Sequence, residues 1–402
     1  MMHILLIHEI FVTPDEGGGT RHYELARYLA RMGHKITVIA SDVDYLSGKK
    51  KLKRKEVKDE IDIIYSRTLS SVHRNFIWRA IAFLSFSISS FFEAIRVKDV
   101  DIIWGTSPPI FQALTAMAVS ILKRKPFVFE LRDLWIDFAK DLNIVNNSLI
   151  IYISKRIETI LYKKAEKIIL NSPGFIPFIE KKVGNGKICL IPNGVTTKEF
   201  LIEGELTKKF RTSLGLENKF VVMYVGNIGI ANDIESIIES AEILRNYNEI
   251  CFLVIGGGIK KQEFIEYTKD KSLDNIIFLD PIPKKDIPVV ISSADVCLAT
   301  LKNTPLFKTV YPNKVFDYMA SGKPTVLAID GVIREIIENA KGGIFVSPGN
   351  SKELAEAILV YYKNRELAVM HGKNARYFVK KYFEREKIAK KLEMCLRNLL
   401  FI

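Results

Sequence analysis

Tyr311-Pro-Asn-Lys-Val-Phe-Asp-Tyr-Met-Ala-Ser-Gly-Lys-Pro324 is the stretch from which the rest of this chain can be read. Asn313 can cap a helix, Val315, Phe316 and Met319 give that helix an apolar face, and Gly322 with Pro324 stops it. Lys314 and Asp317 are three positions apart, so they share one face of its first turn. A cation beside a carboxylate at a helix N-terminus suits a phosphate together with a sugar diol. The same residues also read as a capped surface helix carrying one i,i+3 ion pair. Context has to separate the two readings.

That context is an alternation of short apolar runs with helix-period stretches. In the second half, Phe220–Val225, Cys251–Ile255, Ile276–Leu279, Val296–Ala299, Thr325–Ala328 and Ile344–Val346 read as buried parallel strands. The first half has the same grammar in Ile4–Ile7, Ile36–Ala40, Ile61–Tyr65, Asp101–Trp104, Phe127–Glu130 and Ile168–Leu170. Arg21–Met32, Phe111–Leu122 and Leu149–Lys164 carry the helical period between them. An α/β chain follows, with two Rossmann-like, doubly wound domains in series. Ile191-Pro-Asn-Gly194 punctuates the halves, and the polar segment Thr196–Lys209 reads as the linker into the second domain. The expected division is 1–192, 193–375, and terminal helices over 376–402 that cross back to the first domain. Such sheets bind ligands outside the carboxyl ends of their strands. If the two crevices face each other, the active site is the cleft between them and each chemical motif falls just after a strand.

Composition narrows the class. At 402 residues, with 48% hydrophobic and 26% charged, the chain is globular rather than disordered. Its four cysteines form no CxxC pair and are read as buried thiols of a reducing compartment, which excludes structural zinc. The apolar run at the N-terminus is too short for a signal peptide and reads as the first strand. The longest uncharged apolar stretch, Ala80–Phe92, is 13 residues with four serines, short of the roughly 20 that span a bilayer. A cytoplasmic protein is expected. The net charge of +13 is uneven: residues 1–200 carry 30 Lys and Arg against 21 Asp and Glu, leaving 29 against 25 for the remainder. Lys49-Lys-Lys-Leu-Lys-Arg-Lys55 and Lys123-Arg-Lys125 concentrate the excess. Such blocks suit an anionic lipid surface or a pyrophosphate-bearing acceptor, or are simply solvated loops.

The loops that follow strands carry the chemistry. Glu16-Gly-Gly-Gly-Thr-Arg21 leads into a helix; Gly18 and Gly19 let backbone N–H groups approach an anion, and Arg21 can clamp a phosphate. A dinucleotide fingerprint would need a glycine where His22 stands. Asp42, near a ribose-binding position, nevertheless keeps a nicotinamide oxidoreductase as an alternative. Glu130-Leu-Arg-Asp-Leu-Trp-Ile-Asp137 brings Arg132 and Asp133 to a strand's carboxyl end, as catalytic groups or as a structural pair. Gly226 and Asn227 follow one strand, Gly257 another, as phosphate- or base-approach loops or as plain turns. Leu279-Asp-Pro-Ile-Pro283 offers a stiff backbone wall for a base. Asp42-Val-Asp44 and Asp99-Val-Asp101 have the form of a metal-binding pair. No metal is expected, since lysines, arginines and helix N-termini can neutralise a diphosphate. Aromatic residues follow core periodicity rather than interleaving with basic ones, so nucleic acid is not an expected partner.

The ordered set Gly17-Gly-Gly-Thr-Arg21, Arg132-Asp-Leu-Trp135, Ile191-Pro-Asn-Gly194, Gly226-Asn-Ile-Gly229 and Pro312–Pro324 resembles the GT-B retaining glycosyltransferases of family four. The likeness is to the bacterial branch that builds surface polysaccharides, including L-fucosamine transferases. It implies transfer of a sugar, an N-acetylated amino or deoxy-amino sugar, from a UDP-sugar donor with retention and without metal or other cofactor. The acceptor would be a polyprenyl-diphosphate-linked or other saccharide at the inner face of the cell membrane. A nucleotide-sugar epimerase of the same fold is the alternative. By resemblance the C-terminal domain holds the donor and the N-terminal domain the acceptor. Asp317 matches the second carboxylate of the family's E-x7-E motif and would grip the ribose; Lys314 would face the diphosphate, Ile282 the base, and Gly18 and Gly19 the diphosphate. The chain departs from the family pattern at three places. Thr309 stands where the first carboxylate should be. Asn227 and Asp233 replace the usual Arg and Lys, so the phosphate role passes to Arg21, Lys302, Lys308 and Lys314. Arg132 replaces the usual His before Asp133. Retention without an evident nucleophile implies a front-face route in which the leaving diphosphate takes the acceptor's proton.

Overall fold

In the computed structural model, which describes residues 1–44, 46–70, 76–200, 202 and 204–400, the chain divides into two units. The first holds Met1–Thr13, Thr20–Pro192 and the chain from Glu386 onward; the second holds Pro14–Gly19 and Asn193–Arg385.

The first unit is an eight-stranded sheet: β1 (His3–Ile7), β2 (Lys35–Ser41), β3 (Lys55–Lys58), β4 (Ile61–Ser66), β5 (Ile102–Ser107), β6 (Phe127–Leu131), β7 (Lys167–Leu170) and β8 (Ile188–Leu190), in the order β3-β4-β2-β1-β5-β6-β7-β8. Its pairings are parallel except β3 with β4, a hairpin closed by Asp59 and Glu60, both at positive φ. Two residues with φ > 0 give a turn whose twist matches the strands it joins. The strands are apolar on both faces because helices cover both. On one face the helix Arg21–Arg31 buries Leu25, Ala26 and Leu29, and the last helix, Arg385–Arg397, buries Ile388, Ala389, Leu392 and Leu396 at helical spacing. The expectation of four free thiols is corrected here. Cys189 of β8 is disulfide-bonded to Cys395 of the last helix, while Cys251 and Cys297 are free and buried. A pair separated by 206 positions leaves no spacing signal for a sequence reading.

The second unit is a six-stranded, all-parallel sheet: β9 (Phe220–Val225), β10 (Ile250–Ile255), β11 (Ile276–Leu279), β12 (Val296–Thr300), β13 (Thr325–Ala328) and β14 (Gly343–Phe345), ordered β11-β10-β9-β12-β13-β14. The order reverses between β9 and β12, which is the switch point at which doubly wound sheets take their ligands. Apolar layers line both faces. Thr196–Lys209 is not a free linker. It forms a 3-10 turn, Thr197–Phe200, with Phe200 buried in this unit's core, and then enters the helix Glu205–Ser213. The helix that opened the sequence reading runs Asn313–Ala320 and buries Val315, Phe316 and Met319, as its period predicts. Its cap differs: Pro312 occupies the N-cap position and Asn313 is the first helical residue, since proline's fixed φ already suits a helix entry. Among the described residues no helix is long and apolar enough to cross a membrane.

Candidate active site

The site in the second unit is built from loops at the carboxyl ends of β9, β10 and β12 and from the helix Asn313–Ala320. Lys314 does not pair with Asp317. Its Nζ donates to the Tyr224 hydroxyl at 2.6 Å, lies 3.4 Å from Asn232 Oδ1, and stands 3.9 Å over the Tyr224 ring. The Tyr224 hydroxyl in turn donates to the carbonyl of Asn227 at 2.8 Å. Burial pushes the Lys314 amine down to about 7. An amine so desolvated, beside the loop after β9 and the N-terminus of the helix Ile234–Ile243, is equipped for an anion that would restore its charge.

Gly226 is at positive φ, and a side chain there would press on Lys314, its Cβ falling 2.8 Å from Nζ. Gly256, also at positive φ, has no room at all: its Cβ would lie 1.8 Å from the Gly226 carbonyl. The two loops are thus laced together by backbone, with Gly226 N donating to Ile255 O and Ile228 N to Gly257 O. A Cβ at Gly257 would lie 3.0 Å from Pro281 Cγ, while Asn227 is exposed.

Asp317 turns to a residue the sequence reading passed over. Lys284 Nζ donates to Asp317 Oδ2 at 2.5 Å, with both side chains about 15% exposed. Lys284 follows the Pro281-Ile282-Pro283 wall, and Ile282 packs half-buried against the core. Nothing in the sequence relates positions 284 and 317, which is why the pair was missed. Glu16 and Pro14, grouped with this unit, accept from the backbone N–H groups of Lys284 and Lys285, and Lys285 Nζ reaches Asp15 at 3.0 Å. That places exposed Gly18 and Gly19 in the same unit, where a Cβ on Gly19 would lie 3.8 Å from Asn313 Nδ2. Lys308 is ion-paired with Asp330 at 2.7 Å, and Lys302 lies 3.9 Å from Glu235. Thr309, in place of the missing carboxylate, donates to Leu306 O.

In the first unit the structure corrects one assignment. Arg21 is 4% exposed; its Nε donates to Glu130 at 2.9 Å and its Nη atoms to the carbonyls of Ile191 and Pro192 at 2.6 and 2.7 Å. The guanidinium is spent on tying β6 to the chain after β8, so it is no phosphate clamp. Glu130 also binds His22 at 2.8 Å. Burial works against its ionisation, yet His22 and Arg21 hold the carboxyl well below the usual carboxylate range. Arg132 and Asp133 stand after β6, where burial pushes Asp133 up to about 6 and Arg132 opposes the shift. The Asp-x-Asp pairs serve the backbone: Asp42 accepts from Thr68 N, Asp44 from Ser47 N, and Asp101 from His3 N.

Two Rossmann-like sheets, the second with a cation at its switch point, a carboxylate one turn on and glycine loops around them, define the architecture of this chain. Comparison with known proteins makes that specific. The family model for "Glycosyltransferase Family 4" matches residues 16–199 and that for "Glycosyl transferases group 1" matches residues 207–378. The chain is a glycosyltransferase of this group 1 and family 4 type. It is 23% identical over 402 residues to WcaI of Escherichia coli (strain K12), named as a candidate colanic acid biosynthesis glycosyl transferase, covering 96% of this chain and 97% of that one. It is 23% identical over 286 residues to the N,N'-diacetylbacillosaminyl-diphospho-undecaprenol alpha-1,3-N-acetylgalactosaminyltransferase of Campylobacter jejuni, covering 68% of this chain and 70% of the relative. Anabaena HepE, solved with UDP-glucose, shares the fold at TM-score 0.76 and 18% identity, covering 99% of this chain and 100% of that one. The fold is GT-B.

Proposed function

We propose that this enzyme moves a sugar, of the N-acetylated amino or deoxy-amino kind, from a UDP-sugar to a lipid-linked saccharide during bacterial surface polysaccharide synthesis. The observation that carries the reading is Lys314, held by Tyr224 at the switch point with Asp317 one turn further along the helix. HepE's UDP-glucose supports a uridine donor, and the Campylobacter relative's name supports a diphospho-polyprenol acceptor. In this reading Lys314 and the N-terminus of Ile234–Ile243 take the diphosphate, Asp317 the ribose diol and the loop at Ile282 the base. Asn227, Gly226, Gly257, Lys308 and Asn313 line the donor loops. Retention follows a front-face course: the anomeric C–O bond to diphosphate breaks, the acceptor oxygen bonds on the same face, and its proton passes to the leaving diphosphate. Lys314 stabilises the charge that develops there without a metal. Arg132 and Asp133 serve the acceptor side.

The helix Phe76–Arg96 supports a peripheral place on the inner face of an anionic membrane. It buries Ala82, Phe86, Ser90 and Ala94, yet Trp78, Ile81, Leu84, Ile88, Phe92 and Ile95, between 37% and 63% exposed, form an outward apolar row. Arg96 and Lys98 stand at its C-terminal end, where Lys123 Nζ also donates to the carbonyls of Ile95 and Val97 at 2.8 and 2.6 Å, a combination suited to an anionic lipid surface. The test of the donor is thermal stabilisation by UDP, GDP, ADP and NAD⁺ at matched concentration, with and without EDTA. A shift with UDP that EDTA leaves unchanged is expected. A shift with NAD⁺ alone overturns the reading.

A further inference from the structure

The first unit holds a cavity of about 450 Å³ towards the amino ends of β2 and β4, the edge of the sheet opposite Arg132 and Asp133. Its floor is laid by strand register, which sets Thr37 beside Asp62, Asp62 beside Val57, and Ile64 beside Lys55 on one face. Its roof is the last turn of the helix Phe76–Arg96, with Glu93, Arg96 and the following Val97. The volume lies in the roughly 300–1,000 Å³ range of small-molecule sites, which likewise combine apolar walls with a few convergent polar groups.

The charges that meet in this space are not matched to one another. Glu93 is already answered by Arg54 at 3.1 Å and by Arg96 at 3.5 Å. Glu56 alternates to the far face of β3, where it accepts from the Tyr65 hydroxyl at 3.0 Å. Among the described residues the side chains of Lys35, Lys55 and Asp62 make no hydrogen bond and no ion pair, although all three line the cavity. Lys35, Lys55 and Arg96 thus face one unanswered carboxylate, a balance that favours a ligand of net negative charge over a zwitterion. The negative end of the roof helix does not oppose it, because Lys123 Nζ donates to the carbonyls of Ile95 and Val97. Lysine and arginine together suit phosphate. A bare anion would leave Asp62 facing like charge, whereas a ligand that also carries hydroxyl groups gives that carboxylate donors to accept from.

We propose that this cavity binds a phosphate ester bearing free hydroxyl groups, with Lys35, Lys55 and Arg96 on the phosphate and Asp62 on the hydroxyls. A soluble polyol phosphate and the glycerophosphate head group of a lipid share that chemistry. Exposed Phe92 and Ile95, within one turn of Arg96, put the lipid source within reach. The site does not rest on the transferase reading, since none of its residues serves the donor or the reacting groups.

The experiment is phosphorus NMR titration of the full chain with glycerol 1-phosphate, inorganic phosphate and water-soluble dihexanoyl phosphatidylglycerol. Wild type should bind glycerol 1-phosphate or the lipid more tightly than inorganic phosphate. Lys35→Ala combined with Lys55→Ala should weaken that binding at least about tenfold, and Asp62→Ala should erase the preference over inorganic phosphate. Lys98→Ala removes an exposed charge outside the cavity and should change nothing. Binding of glycerol 1-phosphate identifies a polyol phosphate site; binding of the lipid alone identifies a head-group site. Lys35 and Lys55 are exposed, so Tm should hold; if the double variant fails to fold, the lost preference in Asp62→Ala carries the test. The proposal is overturned if neither ester binds wild type, if inorganic phosphate binds as well as both, or if the double variant behaves like wild type or like Lys98→Ala. UDP stabilisation of the same variants should match wild type, and its absence from wild type would count against the transferase reading alone.

Discussion

The amine of Lys314 has an ordinary value of 10.5 and is pushed down to about 7 in the free protein, so a diphosphate arriving beside it would favour the protonated form. Donor binding is therefore expected to take up a proton, and UDP affinity to fall by up to about tenfold per pH unit above pH 7. Calorimetric titration in buffers of different ionisation heat reads that proton directly. The sign for stability is the reverse. Between about pH 7 and 10.5 the unfolded chain holds a proton on this group that the folded chain does not, so the destabilisation it causes fades as pH rises through that window. Lys284 calls for a different outcome. It pairs with Asp317, so if Asp317 holds the ribose, Lys284→Ala should raise donor KM about fivefold, the roughly 1 kcal/mol of a half-buried pair, with kcat little changed. An equal loss in kcat would show that Lys284 acts on the reaction itself. The spacing of 314 and 317 was legible because a helix puts both on one face. Their partners, Tyr224 and Lys284, were not, because the sheet alone decides which loops meet. Arg21 misled for the same reason: an arginine after a glycine loop has the same sequence signature whether it faces solvent or Glu130.

Among elements, the loops after β9 and β10 act as one piece. Gly256→Ala would drive a Cβ into the Gly226 carbonyl at 1.8 Å, and a cost of about 1–3 kcal/mol is expected from the forced backbone shift, read as a lower denaturant midpoint. A neutral result would mean that the loops are free to part. The helix Phe76–Arg96 makes the opposite prediction. Ile88→Glu and Phe92→Glu change exposed positions, so melting should not move, while sedimentation with phosphatidylglycerol vesicles should fall several-fold. Unchanged sedimentation removes this helix from any membrane contact. The strands flanked by helices were readable as apolar runs. β3 was not, because Lys55-Glu-Val-Lys58 is an edge strand whose charges blunt pairing with other chains, and it read as part of a basic block. β8 is only three residues long, too short for a period to appear.

For the chain as a whole, the alternation of strands and helices gave the two Rossmann-like sheets. The Cys189–Cys395 bond lay outside that logic. It closes a loop of 206 residues, and chain entropy alone allows up to about 5 kcal/mol of stabilisation. Reduction should therefore lower Tm, and non-reducing peptide mapping should recover the two cysteines as one cross-linked peptide; two free thiols and an unmoved Tm would return the chain to the reading drawn from its sequence. The central claim is that Lys314 grips the diphosphate of a uridine donor, and titration of UDP into wild type and Lys314→Met tests it most directly. The substitution is expected to weaken UDP by about 10–100-fold, the roughly 1.5–3 kcal/mol of a hydrogen bond to a charged group, and to abolish proton uptake. Equal affinity and equal proton uptake in both proteins would contradict it.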